Sequence, residues 1–72
     1  MVDRVSPRPA PLGSSPTPAE LAALQAYLDA GGVKAAAHHL GVAPSTVKKH
    51  LANVRSRIGA RTTAEAVLRL SE

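Results

Sequence analysis

Apolar side chains recur at helical spacing in four stretches of this 72-residue chain, and Gly or Pro residues separate the stretches. The first stripe consists of Leu21, Leu24 and Leu28. It follows the capping-box sequence Thr17–Glu20, in which a Thr side chain and a Glu side chain can each cap the other's backbone amide. The pattern therefore predicts a first helix that starts after Thr17, faces the leucine stripe inward and stops at Gly31–Gly32.

A second, shorter helix is predicted from Val33 to Leu40. Ala37 is small enough for two helices to cross closely, and Gly41 can adopt the positive φ of a sharp turn. With Val47 six residues after Gly41, this spacing is typical of a helix-turn-helix motif. The positions of the second helix expected to face inward are Val33, Ala36, Ala37 and Leu40.

The third and fourth helices are predicted from Pro44 to about Ile58 and from a second capping box, Thr62–Glu65, to Leu70. Gly59 ends the third helix. The apolar residues of the third helix lie within about 60° of one another on a helical wheel. They are Val47, Leu51, Val54 and Ile58. The fold class is therefore all-α, with four helices and short connections.

Residues 1–16 are rich in Pro and Ser and poor in large apolar side chains. Such a composition cannot offset its ordering entropy, so we predict a disordered N-terminal tail over residues 1–16 and a single domain over residues 17–72. Arg4 and Arg8 leave a second interpretation open. In it, the tail is a basic arm that contacts DNA phosphates or the minor groove.

The inward stripe of the third helix determines which side chains its other side presents. Lysine amines donate to guanine O6 and N7 in the major groove, and a small side chain such as that of Ala52 permits close approach to base edges. The expected base-contacting residues are Ser45, Lys48, Lys49 and Ala52. Phosphate contacts fix the register of a protein on DNA. The residues expected to make them are Thr46, Asn53, Arg55, Arg57 and Arg61.

The charge distribution supports a polyanionic partner. The formal net charge is +4 and the isoelectric point is about 10.4. The segment from Ser45 to Arg61 carries cationic side chains and no Asp or Glu. This segregation predicts double-stranded DNA as the partner. A basic helix face that only keeps the protein soluble is the simpler alternative.

Several classes of function are not expected. The chain has no cysteine, so it can form neither a disulfide nor a thiolate metal site. His38 and His39 are adjacent and point about 100° apart on a helix, so we expect no metal site and no cofactor. The chain shows no nucleophile–base pattern of an enzyme and no small-molecule site, and no apolar run long enough for a membrane span. The expected location is the cytoplasm, at the nucleoid.

From Thr17 to Leu70 the chain resembles the LuxR-type (GerE-type) helix-turn-helix domain. The motifs that carry the resemblance are Thr17–Pro18–x–Glu20, Leu40–Gly41–Val42, Ser45–Thr46–Val47–Lys48–Lys49–His50–Leu51–Ala52–Asn53 and Thr63–Ala64–Glu65–Ala66. The resemblance implies a four-helix domain whose third helix enters the major groove. It implies base contacts at Lys48, Lys49 and Ala52, with phosphate contacts near Thr46, Asn53 and Arg61.

The resemblance also implies a homodimer with the last helix at the interface, and Val67 and Leu70 are the candidates. The alternative is that these two side chains only close the core of the monomer. One departure from the family pattern is Ala43, which places no side-chain cap before the third helix.

The expected function is that of a small stand-alone transcription regulator that binds specific double-stranded DNA, as a dimer, on an inverted repeat. Two alternatives stay open. One is a promoter-reading module like that of a sigma factor, with RNA polymerase as a further partner. The other is a protein-interaction module whose basic face docks an acidic protein.

Overall fold

A computed structural model describes residues 10–71, which form four α-helices and no strand. The helices are α1 (Pro18–Ala30), α2 (Val33–Leu40), α3 (Pro44–Ile58) and α4 (Thr63–Leu70). The all-α class and the order of the predicted helices are confirmed. Within residues 10–71 no helix is long and apolar enough to cross a membrane.

Helix α1 begins with the reciprocal cap that its sequence predicts. The Glu20 backbone amide donates to Thr17 Oγ1 at 3.2 Å, and the Thr17 amide donates to Glu20 Oε1 at 3.0 Å. The helix ends at Gly31, whose φ of +86° lies in the left-handed region that favours glycine. Both ends of α1 therefore follow from local sequence signals.

The predicted inward stripe of α1 is wrong in part. Leu24 is buried, but Leu21 and Leu28 are 44% and 48% exposed. The buried positions beside Leu24 are Ala23 and Ala26. Alanines let α1 approach α2 and α3 closely, and this orientation turns the flanking leucines outward.

The inward side of α2 shows a similar difference. Ala36 and Ala37 are fully buried as predicted, whereas Val33 is half-buried and Leu40 is 36% exposed. Leu40 is the last residue of the helix, immediately before the turn at Gly41. Its position at the end of α2 leaves its side chain at the edge of the core.

The core itself is built from small and medium side chains of all four helices. Tyr27, the only aromatic residue in the sequence, is half-buried and packs against this core. The core contains no larger side chain than leucine, so each aliphatic contact carries a large share of the stabilising burial. Its buried members are Leu24, Ala26, Ala36, Ala37, Val47, Leu51, Val54 and Ala66.

Helix α4 starts at a cap that is only half of the predicted box. The Glu65 amide donates to Thr62 Oγ1 at 3.0 Å, which is the expected bond. The Glu65 carboxylate accepts instead from the backbone amide of Arg61, at 2.9 Å. It also binds the Arg69 guanidinium at 3.0 Å, one helical turn further on. The same carboxylate thus binds the backbone just before the cap residue and a side chain one turn along α4.

The predicted tail over residues 1–16 falls into two parts. Residues 1–9, with Arg4 and Arg8, lie outside the described residues. Residues 10–14, which we call the strap, contact the last turn of α3. The Gly13 amide donates to the Arg57 carbonyl at 2.6 Å, and Ser56 Oγ donates to the Ala10 carbonyl. No pattern in the sequence predicts these contacts.

Candidate nucleic-acid interface

The turn between α2 and α3 has the geometry that its sequence predicts. Gly41 has a φ of +71°, and the Val42 amide donates to the Ala37 carbonyl at 3.0 Å. This bond closes the end of α2, and the three residues Gly41–Ala43 lead the chain into α3. Buried Val47 then packs α3 against the core cluster that also contains Ala36 and Ala37 of α2.

The buried side chains of α3 fix how this helix is turned about its own axis. Val47, Leu51 and Val54 are at most 4% exposed, and Ile58 packs against the core cluster. Because these residues occupy one stripe, the opposite side of the helix faces away from the core. The four residues predicted to contact bases are all exposed on α3. They are Ser45, Lys48, Lys49 and Ala52.

The residues predicted to contact phosphates are placed less uniformly. Arg61 is exposed just beyond α3, and Thr46 and Asn53 are half-buried on it. Arg55 is half-buried, and its Nη1 donates to Thr63 Oγ1 at 3.1 Å. Arg55 therefore links the last turns of α3 to the first turn of α4.

Arg57, also a predicted phosphate contact, has its guanidinium hydrogen-bonded to other groups of the protein. Its Nε donates to Glu20 Oε1 at 2.7 Å and its Nη2 donates to Oε2 at 3.0 Å. Its Nη1 donates to Ser14 Oγ at 2.9 Å, in the segment before α1. In this arrangement each of the three guanidinium nitrogens of Arg57 donates one hydrogen bond within the protein.

The Glu20 carboxylate is correspondingly held in its charged form. The Arg57 hydrogen bonds lower the pKa of Glu20, and the bond from the Thr17 amide lowers it further, against the opposing effect of burial. The residue is only 3% exposed. The sequence pattern assigns Glu20 to the helix cap alone. The 37 positions that separate it from Arg57 give no local signal of their pairing.

The other ion pair among residues 10–71 is Glu65 with Arg69, on α4. A backbone bond from Arg61 and the Arg69 side chain both lower the pKa of Glu65. Neither pair uses a lysine of α3. The ion pairs among residues 10–71 thus leave Lys48 and Lys49 of α3 without a carboxylate partner.

The histidines do not converge on a metal site within the part of the chain that the structure describes. His38 and His39 are exposed at the end of α2, and His50 is half-buried on α3. No group of three His, Cys, Asp or Glu side chains among residues 10–71 is close enough to hold a metal ion.

The two residues predicted at a dimer interface line a groove between α4 and α1. The groove has a volume of about 220 Å³. Val67 is half-buried and Leu70 is 39% exposed, and the groove brings them together with the outward-facing Leu21 and Leu28. The leucines that α1 turns away from the core therefore extend an apolar surface on α4.

Comparison with known families gives a match over most of the helical domain. A sequence model of the bacterial regulatory helix-turn-helix proteins of the LysR family matches residues 18–66, from the start of α1 into α4. The chain belongs to this LysR family of helix-turn-helix regulators. No curated protein and no solved structure matches the chain.

Membership of the LysR family confirms the helix-turn-helix nature of the domain and gives it a role. The protein is a DNA-binding transcription regulator, and its family is one of regulators rather than of enzymes. The LuxR type indicated by the sequence motifs is a finer assignment, and the LysR match does not support it.

Proposed function

We propose that this LysR-family protein reads specific DNA sequences by placing α3 in the major groove. The observation that carries the proposal is the orientation of α3: its apolar stripe is buried, and its exposed side presents lysines next to small side chains. A helix presented in this way fits the major groove, which is wide enough to admit an α-helix. Its place of action would be the cytoplasm, at the nucleoid.

The base-reading residues in this proposal are Ser45, Lys48, Lys49 and Ala52. Ser45, Lys49 and Ala52 follow one another at intervals of four and three, so they share one side of the helix. Thr46, Asn53, Arg55 and Arg61 are proposed to contact phosphates along the groove walls. For Arg55 this contact competes with its bond to Thr63.

We also propose that the regulator is a homodimer joined through the groove between α1 and α4. The groove offers exposed leucines from both helices, including Leu28 and Leu70. None of the residues that line it belongs to α3. Two copies that bury such surfaces against each other gain from the hydrophobic effect. A two-fold dimer would read two half-sites as an inverted repeat.

Selection from a randomised duplex library at near-physiological salt tests the first proposal. Sequencing of the bound pool is expected to give an enriched inverted repeat with half-sites about one helical turn apart. A single enriched half-site would contradict the dimer and favour a polymerase-associated promoter reader. A pool without any enrichment would contradict sequence reading by α3 and favour docking to an acidic protein.

Sedimentation equilibrium of the full chain tests the dimer separately. Leu28→Lys places a charge in the groove and is expected to weaken self-association, because the charge must lose its hydration at the interface. Ala22→Lys is the matched control, since it adds the same charge to an exposed position of α1 that does not line the groove. An equal effect of both changes, or a monomeric wild type, would contradict the dimer.

A further inference from the structure

The exposure of the outward side of α3 changes along the helix. Ser45, Lys49, Ala52 and Ser56 share this side at intervals of four, three and four residues. The first three are exposed, whereas Ser56 is half-buried because the strap lies against it. The outward side is thus open over its first turns and covered at its last.

The strap is held at three points around the last turn of α3. Ser56 Oγ donates to the Ala10 carbonyl, and the Gly13 amide donates to the Arg57 carbonyl at 2.6 Å. Arg57 Nη1 donates to Ser14 Oγ at 2.9 Å. Because backbone and side-chain bonds act together, the strap is fastened to α3 rather than merely adjacent to it.

The Arg57 side chain fastens the same turn to α1. Its two bonds to the Glu20 carboxylate form a bidentate pair, in which the Arg57 side chain is 16% exposed and the Glu20 side chain 4% exposed. A phosphate that recruited Arg57 would leave the buried Glu20 charge without its partner. The pairing therefore opposes any contact between Arg57 and DNA.

We propose that α3 is divided between two tasks, with its DNA-contacting surface ending before Ser56. Ser56 and Arg57 are positioning residues: together with the strap and Glu20 they hold the end of the helix, and so set its orientation. The open part, from Ser45 to Ala52, is about 10 Å long at 1.5 Å per residue. This length equals the rise of about three base pairs. The inference rests on the proposed reading of DNA by α3.

The decisive experiment measures the salt dependence of DNA binding by the full-length Glu20→Gln/Arg57→Gln double variant. The two changes remove one charge of each sign, so the net charge stays the same and no buried charge is left unpaired. The slope of log K against log salt becomes shallower by about 0.9 for each phosphate that the protein no longer neutralises. We expect the slope of the double variant to equal that of the wild type.

Arg61→Gln serves as the comparison, because this exposed cation is a proposed phosphate contact and its removal is expected to lower the slope by about 0.9. A fall of the same size in the double variant would overturn the inference, since Arg57 would then contact a phosphate. A wild type without salt-dependent DNA binding would instead overturn the proposed function itself. The two failures are therefore distinguishable.

Ser56→Ala provides an independent test that needs no change at the ion pair. Repeating the library selection with this variant is expected to return the wild-type motif, while the melting temperature falls because one strap bond is removed. A changed base preference at any position would overturn the inference, because Ser56 would then contact a base. This variant decides the question even if the double variant does not fold.

Discussion

Glu20 connects two distant parts of the chain through one carboxylate. Its Oε1 accepts from the Thr17 amide and from Arg57, and its Oε2 accepts from Arg57 again. The bonds join the start of α1 to the end of α3. Because the carboxylate is buried, removing either partner would leave part of its charge uncompensated.

This residue gives the protein a predictable response to acid. The pKa of Glu20 is lowered in the folded state from a reference value of 4.5. Its contribution to stability is therefore present above the unfolded pKa and is lost as the pH falls through the folded pKa. We expect the melting temperature to decline from about pH 5 downward, with Glu65 adding to the decline because its pKa is also lowered.

Thermal unfolding followed by circular dichroism across this pH range measures the effect. Glu20→Gln is expected to be less stable at neutral pH and to lose part of the acid dependence. Asp29→Asn removes the same charge from an exposed position and is expected to keep the wild-type profile. A Glu20→Gln variant with an unchanged pH profile would contradict the assignment.

The lysines of α3 are the residues with the most direct expected effect on DNA binding. One well-formed base contact is worth about 1–3 kcal/mol of discrimination. Lys48→Ala with Lys49→Ala is therefore expected to weaken binding to the selected site by several kcal/mol at most, measured by fluorescence anisotropy. Lys34→Ala removes a lysine from α2, outside the proposed DNA-contacting surface, and is the control. Unchanged affinity in the double variant would contradict the role of α3.

The helices differ in how their first turns are closed. Thr17 and Thr62 cap α1 and α4 with side-chain oxygens. Helix α3 has Ala43 at this position, without a side-chain cap, and the Thr46 amide bonds to the Ala43 carbonyl at 3.0 Å. The backbone thus supplies part of what the missing side chain would provide.

Ala43→Ser is expected to stabilise the protein, because the new hydroxyl can accept from an amide of the first turn of α3. A side-chain cap is worth about 0.5–2 kcal/mol relative to Ala. Thr62→Ala is the reverse change on α4 and is expected to destabilise by a similar amount. Urea unfolding of both variants measures the free energies, and a less stable Ala43→Ser would show that the turn cannot accommodate the cap.

The bounds of the helices were predictable because local signals set them. These signals set a helix end from within about one turn of it. They are the cap residues Thr17 and Thr62, Pro44 and the glycines after the first three helices. The orientation of α1 was not predictable from its leucines, since close packing of Ala23 and Ala26 determined it. A stripe of large apolar side chains predicts the buried face of a helix less well when small residues on another face let a neighbouring helix approach more closely.

At the scale of the whole molecule, stability depends on a thin core. A domain of this size has an unfolding free energy of order 5 kcal/mol. Its buried side chains are mainly alanine, valine and leucine, with few bulky members to compensate for a truncation. Truncation of one side chain in the centre of the core can therefore remove much of the unfolding free energy.

Leu51→Ala tests this dependence. Leu51 is 4% exposed on α3, and truncation of a buried leucine costs about 2–5 kcal/mol through reduced burial and the cavity left behind. The variant is expected to melt at a much lower temperature than the wild type, as followed by circular dichroism. Leu68→Ala, at a position 66% exposed on α4, is expected to unfold like the wild type. Equal stability of both variants would contradict the described core.

The candidate site was predictable only where one helix carries it. Ser45, Lys48, Lys49 and Ala52 belong to one segment, so its periodicity places them on the exposed side of α3. The role of Arg57 depends on Glu20 and on the strap, which are distant in sequence. No local pattern encodes such a contact, because it exists only once the helices have assembled.

Tyr27 gives the molecule an optical property that follows from its composition. The sequence has one Tyr and neither Trp nor Phe, and the Tyr27 ring packs against the core from α1. Its phenol is thus a single chromophore, and its emission reports on the edge of the core where Tyr27 packs. Quenching by acrylamide would follow the opening of the core without a label, whereas absorbance in the near ultraviolet gives only a faint signal for concentration.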